Sequence, residues 1–338
     1  MKDIAKEAGI SISCVARYIN KSGYVSQEKS VKIGEVMERL HYIPNQQARY
    51  LREGKTRLIG HVHASSAENI FFSKVAEEIE KASIVAGYQT ISISLESENK
   101  EVIEQQLMTL LACRVDGLIL NPGANGEVAR IINEWAKRFE MPIIIIERPT
   151  DVYEISKVLV DNIEGSYLAT DILISKGHKK IAYFGVDPIK AVEKERYYGY
   201  LHAMTMLNND YANKHSYFTD DYTVENGYNK CLEILELLEG DLPTAICVTS
   251  DILVAGVLRA LQEKQICVPE EISLIGFDDT IARFFSPPVS TMKLPIREIA
   301  LAAIELLMEI IETDEAASTR TIKIAPSYKE RESVRELK

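Results

Sequence analysis

The chain has 338 residues, a formal net charge of −11 and five cysteines. The odd cysteine count and the lack of a Cys-x-x-Cys spacing indicate reduced thiols rather than a disulfide framework. No apolar run approaches the roughly 18 residues of a membrane-spanning helix, and residues 1–20 lack the continuous apolar stretch of a secretion signal. We therefore expect a cytoplasmic protein without a membrane partner.

Charge is distributed unevenly along the chain. Residues 1–57 contain eleven Lys or Arg and six Asp or Glu, a net of +5, so the remaining residues carry −16. A basic segment on an acidic body is the asymmetry that binding to a phosphate backbone favours. The acidic total therefore does not argue against nucleic acid as a partner.

The N-terminal segment, residues 1–43, is predicted to form a helix-turn-helix. Its first helix has one apolar stripe and is expected to end at Gly9, which can adopt a left-handed conformation. Ser11 stands where an N-cap would begin a second helix, whose Val15 and Ile19 face inward. A third helix is predicted from about Ser26 to Leu40, with an apolar face made by Val31, Val36, Met37 and Leu40.

The outer face of the second helix has side chains suited to reading bases. Arg17 can form two hydrogen bonds with a guanine, Ser13 is permissive, and Ile12 can meet a thymine methyl group. The alternative is a three-helix cap that packs on a larger domain. The positive charge of the segment favours DNA binding over that alternative.

Residues 44–57 are predicted to be a conditional hinge. Pro44 is followed by two turns of helix-forming residues, a length that is marginal in water because helix nucleation is costly. We expect this short helix to fold against DNA, with Leu51 as an apolar wedge between base steps and basic side chains near the phosphates. The alternative is a solvated linker with one exposed leucine.

From Leu58 onward the pattern changes to α/β. Short apolar runs alternate with amphipathic helical stretches, which indicates parallel sheet with crossover helices. The runs are LIGHV, TISISL, GLILN, PIIIIE, KVLV, KIAYFG, TAICVT and ISLIGF. So many strands exceed one comfortable sheet, so we expect two lobes.

Polar side chains fall where several of these strands end. Because open parallel sheets bind ligands beyond the carboxyl ends of their strands, we expect an effector cleft there. The candidate residues are Phe72, Asn121, Glu147, Arg196, Tyr222, Asp251 and Asp278. An Asp after a strand is more often a helix N-cap, an alternative that stays open for Asp161, Asp251 and Asp279. Aromatic pairs such as Phe71–Phe72 usually belong to a core.

Enzyme signatures are missing from the sequence. No G-x-S-x-G, P-loop, H-E-x-x-H or G-x-G-x-x-G motif occurs. His61 and His63 share one face of a predicted strand, but two ring nitrogens without a third ligand make a weak metal site. We expect no enzyme, no metal and no cofactor. The alternative of another class is a sugar-binding or carbohydrate-active protein without a DNA-binding role.

Several motifs in order resemble the lactose/galactose repressor (LacI/GalR) family: DIAKEAGIS, the following VARYIN, LHYIPNQQARYL, Ile59-Gly60 and SKGHKKIAYFG. The similarity extends from residue 2 to about residue 334, and the shared order and spacing are far more specific than a lone helix-turn-helix. The resemblance implies an all-α helix-turn-helix domain followed by the two-lobed α/β fold of periplasmic sugar-binding proteins, with two Rossmann-like parallel sheets. It also implies a structural role for His178.

The resemblance further implies which residues touch DNA. Ile12, Ser13 and Arg17 correspond to positions that read the major groove, and Leu51 to the wedge at the operator centre. The expected DNA contacts are Ser11, Ile12, Ser13, Arg17, Asn20, Tyr42, Asn45, Leu51 and Arg52. Where the family usually has Thr and Ser this chain has Cys14 and Ala16, which removes a hydroxyl contact to DNA. Ser250 replaces a common Asn in the cleft.

We place the domain boundaries as follows: 1–43 helix-turn-helix, 44–57 hinge helix and linker, and 58–338 effector-binding core. Within the core, we assign 58–160 and 290–319 to the first lobe and 161–289 and 320–334 to the second. The expected crossings between the lobes lie near 160–162, 287–292 and 320–324.

The expected function is a ligand-responsive transcriptional repressor of a carbohydrate utilisation operon. Two copies would bind a pseudo-palindromic operator, because a two-fold axis repeats the reading helix in adjacent half-sites. A homodimer is expected, since residues 327–338 lack the leucine heptad of tetrameric relatives. Carboxylates with an Arg and a Tyr suit the hydroxyl groups of a sugar-like effector, and a purine-type corepressor is the alternative.

Overall fold

A computed structural model describes residues 1–20, 22–42, 54–64, 70–95, 99–121, 126–147, 155–189, 191–207, 210–238, 240–313 and 319–337. The chain divides into two compact units, Met1–Arg57 and Leu58–Lys338. Three of the predicted DNA contacts, Asn45, Leu51 and Arg52, lie outside the described residues.

The described residues of the first unit form three helices, α1 (Lys2–Ala8), α2 (Ile12–Asn20) and α3 (Gln27–Arg39). Gly9 ends α1 at φ 67°, and its N–H donates to the Ala5 carbonyl, as its predicted left-handed conformation requires. The Ser11 hydroxyl accepts from the Cys14 N–H at 3.3 Å, which confirms the predicted N-cap of α2.

The miniature core of this unit differs from the prediction in α3. It is formed by Ile4, Ala5, Ala8, Val15, Ile33 and Val36. Val31 is 56% exposed and Leu40 40% exposed, so assigning them to the apolar face was wrong. Ile33 takes the inward position because two residues turn a helix by about 200°, which puts Val31 on the opposite side.

The described part of the second unit forms two six-stranded sheets. The first sheet runs in the order β11-β5-β4-β3-β1-β2, with β1 Leu58–Ala64, β2 Gln89–Leu95, β3 Gly117–Asn121, β4 Ile143–Glu147, β5 Ser156–Val160 and β11 Thr321–Ile324. The second runs in the order β12-β10-β9-β8-β6-β7, with β6 Ile181–Val186, β7 Ser216–Thr219, β8 Ala245–Val248, β9 Ser273–Asp278, β10 Ser290–Lys293 and β12 Ser327–Lys329. All pairings are parallel except β10–β12.

Helices cover both faces of each sheet, as continuous apolar strands require. They are α4 Phe71–Val85, α5 Lys100–Ala112, α6 Gly126–Arg138, α7 Asn162–Ser175, α8 Ala191–Thr205, α9 Tyr211–Lys214, α10 Val224–Leu237, α11 Asp251–Glu263 and α12 Ile296–Thr313. In the first lobe, α4 packs on β1 and β2 while α12 packs on β3, β4 and β5. In the second lobe, α7 pairs with α8 and α10 pairs with α11.

The lobe boundaries drawn from the sequence disagree with sheet membership at two places. Residues 290–293, assigned to the first lobe, form β10 and pair with β9 of the second sheet. Residues 321–324, assigned to the second lobe, form β11 and pair with β5 of the first sheet. A strand of four residues carries no pattern that identifies its sheet; only the pairing does. The chain thus passes between lobes at Asp161, 294–295 and 325–326.

His178 is a structural residue of the second lobe. It is fully buried, and its ring nitrogens lie 3.0 Å from the Thr244 hydroxyl and 3.1 Å from the Arg335 carbonyl oxygen. The side chain therefore ties the start of β6 to the C-terminal segment. This arrangement confirms the structural role implied by the family resemblance.

His61 and His63 lie on the same face of β1, with ring centroids 5.0 Å apart. Among the described residues, no group of three or more His, Cys, Asp or Glu side chains is placed to hold a metal ion. His61 is fully buried, and burial together with the charge of His63 lowers its pKa to about 3. No helix in the described part of the chain is long and apolar enough to cross a membrane.

This low pKa predicts a pH-dependent stability. Below its ordinary pKa of 6.5, His61 binds a proton in the unfolded chain but not in the folded protein. The free energy of unfolding therefore falls as pH drops from 6.5 towards 3, by about 2 kcal/mol at pH 5 from this residue. His61→Leu should make the decline shallower in urea unfolding at pH 7.5 and pH 5, whereas His202→Leu, at an exposed site on α8, should not. Equal declines in wild type and His61→Leu would contradict the assignment.

Candidate effector cleft and DNA-reading face

The outer face of α2 presents the predicted reading residues to solvent. Ser11, Ser13 and Arg17 are exposed, and Ile12 is 49% exposed although it is apolar. The Ser11 and Ser13 hydroxyls lie 3.1 Å apart. Ile12 is exposed among polar side chains and does not belong to the core of this unit. Such an isoleucine suits contact with a thymine methyl group.

Two further predicted DNA contacts are less exposed. Asn20 is partly buried at the end of α2, and Tyr42 packs against the three-helix core. The N–H of Tyr42 donates to the Met37 carbonyl at 2.9 Å. Tyr42 therefore contributes to the packing of the three-helix core.

A cleft between the two lobes of the second unit has an empty volume of about 300 Å³, part of it open to solvent. Its lining includes an Arg, two carboxylates and two aromatic rings. The lining residues are Phe71, Glu147, Val192, Arg196, Tyr222, Ser250, Asp278 and Leu294. Convergent polar side chains beside the apolar Phe71, Val192 and Leu294 suit the binding of a small polar molecule.

Arg196 is the centre of the cleft and is only 3% exposed. Its Nε donates to the Asn162 Oδ1 at 3.0 Å, and its Nη1 donates to the Thr249 carbonyl at 2.5 Å. Its guanidinium carbon lies 4.1 Å from the centre of the Phe277 ring. Stacking and two directed hydrogen bonds fix the guanidinium plane. The remaining Nη2 lies 3.7 Å from the Asp278 Oδ1.

Glu193 lies behind the lining residues and orients two of them, Tyr222 and Arg196. It is fully buried in the first turn of α8, where a helix N-terminus favours a negative charge. Its carboxylate accepts from the Tyr222 hydroxyl at 2.5 Å and from the Tyr183 hydroxyl at 3.3 Å. It also lies 3.8 Å from Arg196 Nη1, one helical turn further on.

Both lining carboxylates sit on backbone in the left-handed region. Glu147 ends β4 at φ 70°, and Asp278 ends β9 at φ 103°. Such residues cost about 1–3 kcal/mol each and cluster at functional sites. Burial raises the pKa of Asp278 well above its ordinary value; Arg196 opposes this rise, and Asp251 and Glu147 add to it.

The Asp251 carboxylate binds the loop after β9 through one of its two oxygens. Its Oδ2 accepts from the N–H groups of Thr280, Ile281 and Ala282 and from the Thr280 hydroxyl, at 2.6 to 3.2 Å. Ser250, rather than Asp251, caps α11 by accepting from the Leu253 N–H. Asp251 therefore holds the loop after β9.

The structure thus gathers four of the seven predicted residues in the lining: Glu147, Arg196, Tyr222 and Asp278. Phe72, Asn121 and Asp251 are buried but are not among the lining residues. Sequence reasoning missed Val192, Leu294 and Glu193. Only Glu193 had a usable signal, its three-residue spacing from Arg196 on a predicted helix.

A helix-turn-helix unit followed by a two-lobed, cleft-bearing α/β unit is the architecture of ligand-responsive DNA-binding regulators. Residues 1–45 match the family of bacterial regulatory proteins, lacI family, and residues 170–334 match the periplasmic binding protein-like domain. The chain belongs to the LacI family and is a DNA-binding transcriptional regulator.

Among curated proteins, the chain is 32% identical over 339 residues to the HTH-type transcriptional repressor PurR of Actinobacillus pleuropneumoniae serotype 3 (strain JL03), covering all of this chain and 98% of that one. It is also 32% identical over 340 residues to the ribose operon repressor of Haemophilus influenzae, covering 100% and 99%.

Two solved structures have the same fold. The lac repressor dimer bound to operator and the anti-inducer ONPF aligns with a TM-score of 0.82 at 26% identity, covering 98% of each chain. A LacI family transcriptional regulator from Enterococcus faecium with bound ribose aligns with a TM-score of 0.71 at 25% identity, covering 83% of this chain and all of that one.

Proposed function

We propose that the protein is a cytoplasmic repressor of a carbohydrate utilisation operon and that it works as a homodimer, not as an enzyme. A sugar or sugar derivative is its effector. The observation that carries this proposal is the cleft in which Arg196, Glu147 and Asp278 converge beside the Tyr222 ring. Carboxylates and a fixed guanidinium suit pairs of hydroxyl groups, and an aromatic ring suits the apolar face of a sugar.

Closure of the two lobes is the proposed coupling step. The lobes are joined at three crossings, so a ligand held between them changes their relative rotation. In a dimer this rotation would alter whether both hinges, residues 44–57, can fold on DNA. Coupling of this kind is typically worth about 1–3 kcal/mol and is reciprocal.

A purine-type corepressor is the second candidate. Its support is the similarity to the PurR repressors over the whole chain. The two candidates differ in what raises the thermal stability of the protein: D-ribose and cellobiose in one case, hypoxanthine and guanine in the other. A ligand at about 100 times its dissociation constant adds ~2.7 kcal/mol of stability, which a thermal shift detects.

The proposal as a whole is tested by gel shift on the DNA upstream of the gene. We expect salt-sensitive binding to a pseudo-palindromic site, because phosphate contacts release counterions. Addition of the stabilising compound should change that affinity. Failure to bind any palindromic site specifically would overturn the proposal that it is an operon repressor.

Arg17 should contribute to base recognition. We expect Arg17→Ala to lower specific operator affinity by about tenfold or more, since one base-reading Arg is worth about 1–3 kcal/mol. Arg39→Ala is the matched control, because Arg39 is also exposed in this unit but forms an ion pair with Glu7 at 2.7 Å. An equal loss of specific and nonspecific binding in Arg17→Ala would count against base reading.

Leu51 should matter for DNA binding alone. Leu51→Ala is expected to weaken specific binding, because the apolar wedge supports a kinked operator. Binding of the stabilising compound by the core should be unchanged in calorimetry. Parallel loss of both activities would argue against the hinge assignment.

A further inference from the structure

A lysine of the first lobe bonds to the backbone of the second lobe. Lys74 lies on α4, and its Nζ donates to the Thr280 carbonyl oxygen at 2.6 Å. Thr280 follows β9 of the second sheet and lies 206 residues further along the chain. The bond therefore links the two lobes at a place where the chain itself does not cross.

Both ends of this bond are held firmly. On the first lobe, Phe72, Val75 and Ile79 of α4 are buried in the core. On the second lobe, the Asp251 carboxylate accepts from three successive N–H groups that begin at Thr280. Neither end can follow the other when the lobes rotate. A shift of about 1 Å at this point therefore lengthens the bond beyond hydrogen-bond range.

Lys74 bonds to the other lobe although its own helix has acidic residues nearby. Glu77 and Glu78 stand three and four residues further on, a spacing at which opposite charges on a helix interact. Both carboxylates lie 2.7 Å from the ammonium group of Lys81. The ammonium group of Lys74 is thereby left for the carbonyl of the second lobe.

The bond lies next to the effector cleft. Phe71, about one helical turn before Lys74, lines the cleft from the first lobe, and Asp278, two residues before Thr280, lines it from the second. An adjoining groove has Lys74, Asp278 and Leu294 in its lining. The bond therefore sets the separation of the lobes beside the place where both would contact an effector.

A second pair between the lobes has a looser geometry. Lys323 on β11 lies 3.5 Å from Glu195 on α8, and its side chain is 40% exposed. The bond from Lys74 is shorter and half-buried, so water screens it less. A hydrogen bond from a charged donor is also stronger than one between neutral groups. We therefore assign the larger contribution to Lys74.

We propose that Lys74 is a positioning residue for effector binding, because its bond to Thr280 holds the lobes in the arrangement in which both face the cleft. This inference rests on the proposed function, since it concerns binding in the same cleft. The affinity for a ligand scales with the fraction of protein in the binding arrangement. Loss of a hydrogen bond from a charged donor should lower that fraction, and with it the affinity, by about threefold or more.

Spin labels measure the arrangement of the lobes directly. Cys113 in the first lobe and Cys267 in the second are exposed, and the two other cysteines of the core are buried. The labels are placed on these two residues of the full-length protein, with Cys14 replaced by Ser, and labelled protein is diluted with unlabelled protein. We expect one narrow distance in the parent protein and a broader or shifted distribution in Lys74→Met.

Calorimetry with D-ribose, cellobiose, hypoxanthine and guanine gives the second measurement. A compound that binds the parent protein should bind Lys74→Met about threefold or more weakly. Lys74→Arg should restore part of the affinity, because it keeps a charged donor. Lys100→Met is the matched control and should change neither measurement, because Lys100 also lies on a first-lobe helix but pairs with Glu134 of the same lobe at 3.5 Å.

The outcomes separate this inference from the function that it rests on. Equal distance distributions in Lys74→Met and the parent protein would overturn the inference and leave the proposed function intact. Unchanged affinity for a bound compound, or equal changes in Lys100→Met, would do the same. If none of the four compounds binds, the distances decide alone. Failure to bind an operator would overturn the repressor proposal, and the distances would still decide the role of Lys74.

Discussion

Replacing Arg196 with Met is expected to lower affinity for the stabilising compound by about a hundredfold and to destabilise the core by about 3 kcal/mol. The variant leaves the buried carboxylates of Glu193 and Asp278 without their cation, and breaking a buried pair costs about 3–5 kcal/mol. It also frees the Asn162 side chain and the Thr249 carbonyl from their guanidinium donor. Calorimetry measures the affinity and urea unfolding the stability.

Arg259→Met is the matched control for this experiment. Arg259 lies 4.0 Å from the centre of the Tyr228 ring and 3.6 Å from Glu225, but it is 57% exposed on α11. A surface ion pair of this kind is worth about 0–1 kcal/mol. Equal effects of the two substitutions would show that burial in the cleft does not set the role of Arg196. Arg196→Lys should give an intermediate loss, because a lysine keeps the charge but not the fork.

The second large effect is expected at Gly256, where α10 and α11 approach closely. A Cβ at this position would overlap the Val224 carbonyl oxygen and lie 2.5 Å from the Tyr228 backbone nitrogen. Backbone atoms cannot move aside as a side chain can, so Gly256→Ala should lower the free energy of unfolding by about 3 kcal/mol. Urea unfolding provides the measurement.

Whether Gly256→Ala lowers or raises the free energy of unfolding distinguishes a close helix contact from an open helix. In an open helix, Gly→Ala would stabilise by about 1 kcal/mol through helix propensity. Gln262→Ala on the exposed side of the same helix is the control and should change stability little. Gly199→Ala should act as Gly256→Ala does, since its Cβ would overlap the Ile163 carbonyl where α8 crosses α7. A stabilised Gly256→Ala variant would refute the close approach.

The fold could be predicted from the sequence because the same pattern, an apolar strand bounded by turn residues, recurs along the chain. Buried parallel strands such as PIIIIE and GLILN are continuous apolar runs, and turns between them are clearly marked. The N-terminal helices were predictable for the same reason, with Gly9 and Ser11 as boundary residues. The family resemblance then indicated that the strands and helices form two lobes.

The sequence did not show which sheet each strand next to a lobe crossing joins. The two short strands β10 and β11 contain Ser, Thr and Lys beside their apolar residues, so their partners depend on tertiary pairing alone. Likewise, no periodicity distinguishes Asp251, which holds a loop, from Asp278, which lines the cleft, although both lie near strand ends. Only the positions of neighbouring elements separate the two roles.

The C-terminal segment also bears on how the protein is made. Residues 321–324 complete the first sheet, residues 327–329 complete the second, and the Ser333 hydroxyl donates to the Leu274 carbonyl at 2.6 Å. Neither sheet can acquire its last strand until this part of the chain has left the ribosome. The two lobes therefore finish folding only after residue 329 has been translated, although the first lobe begins at residue 58.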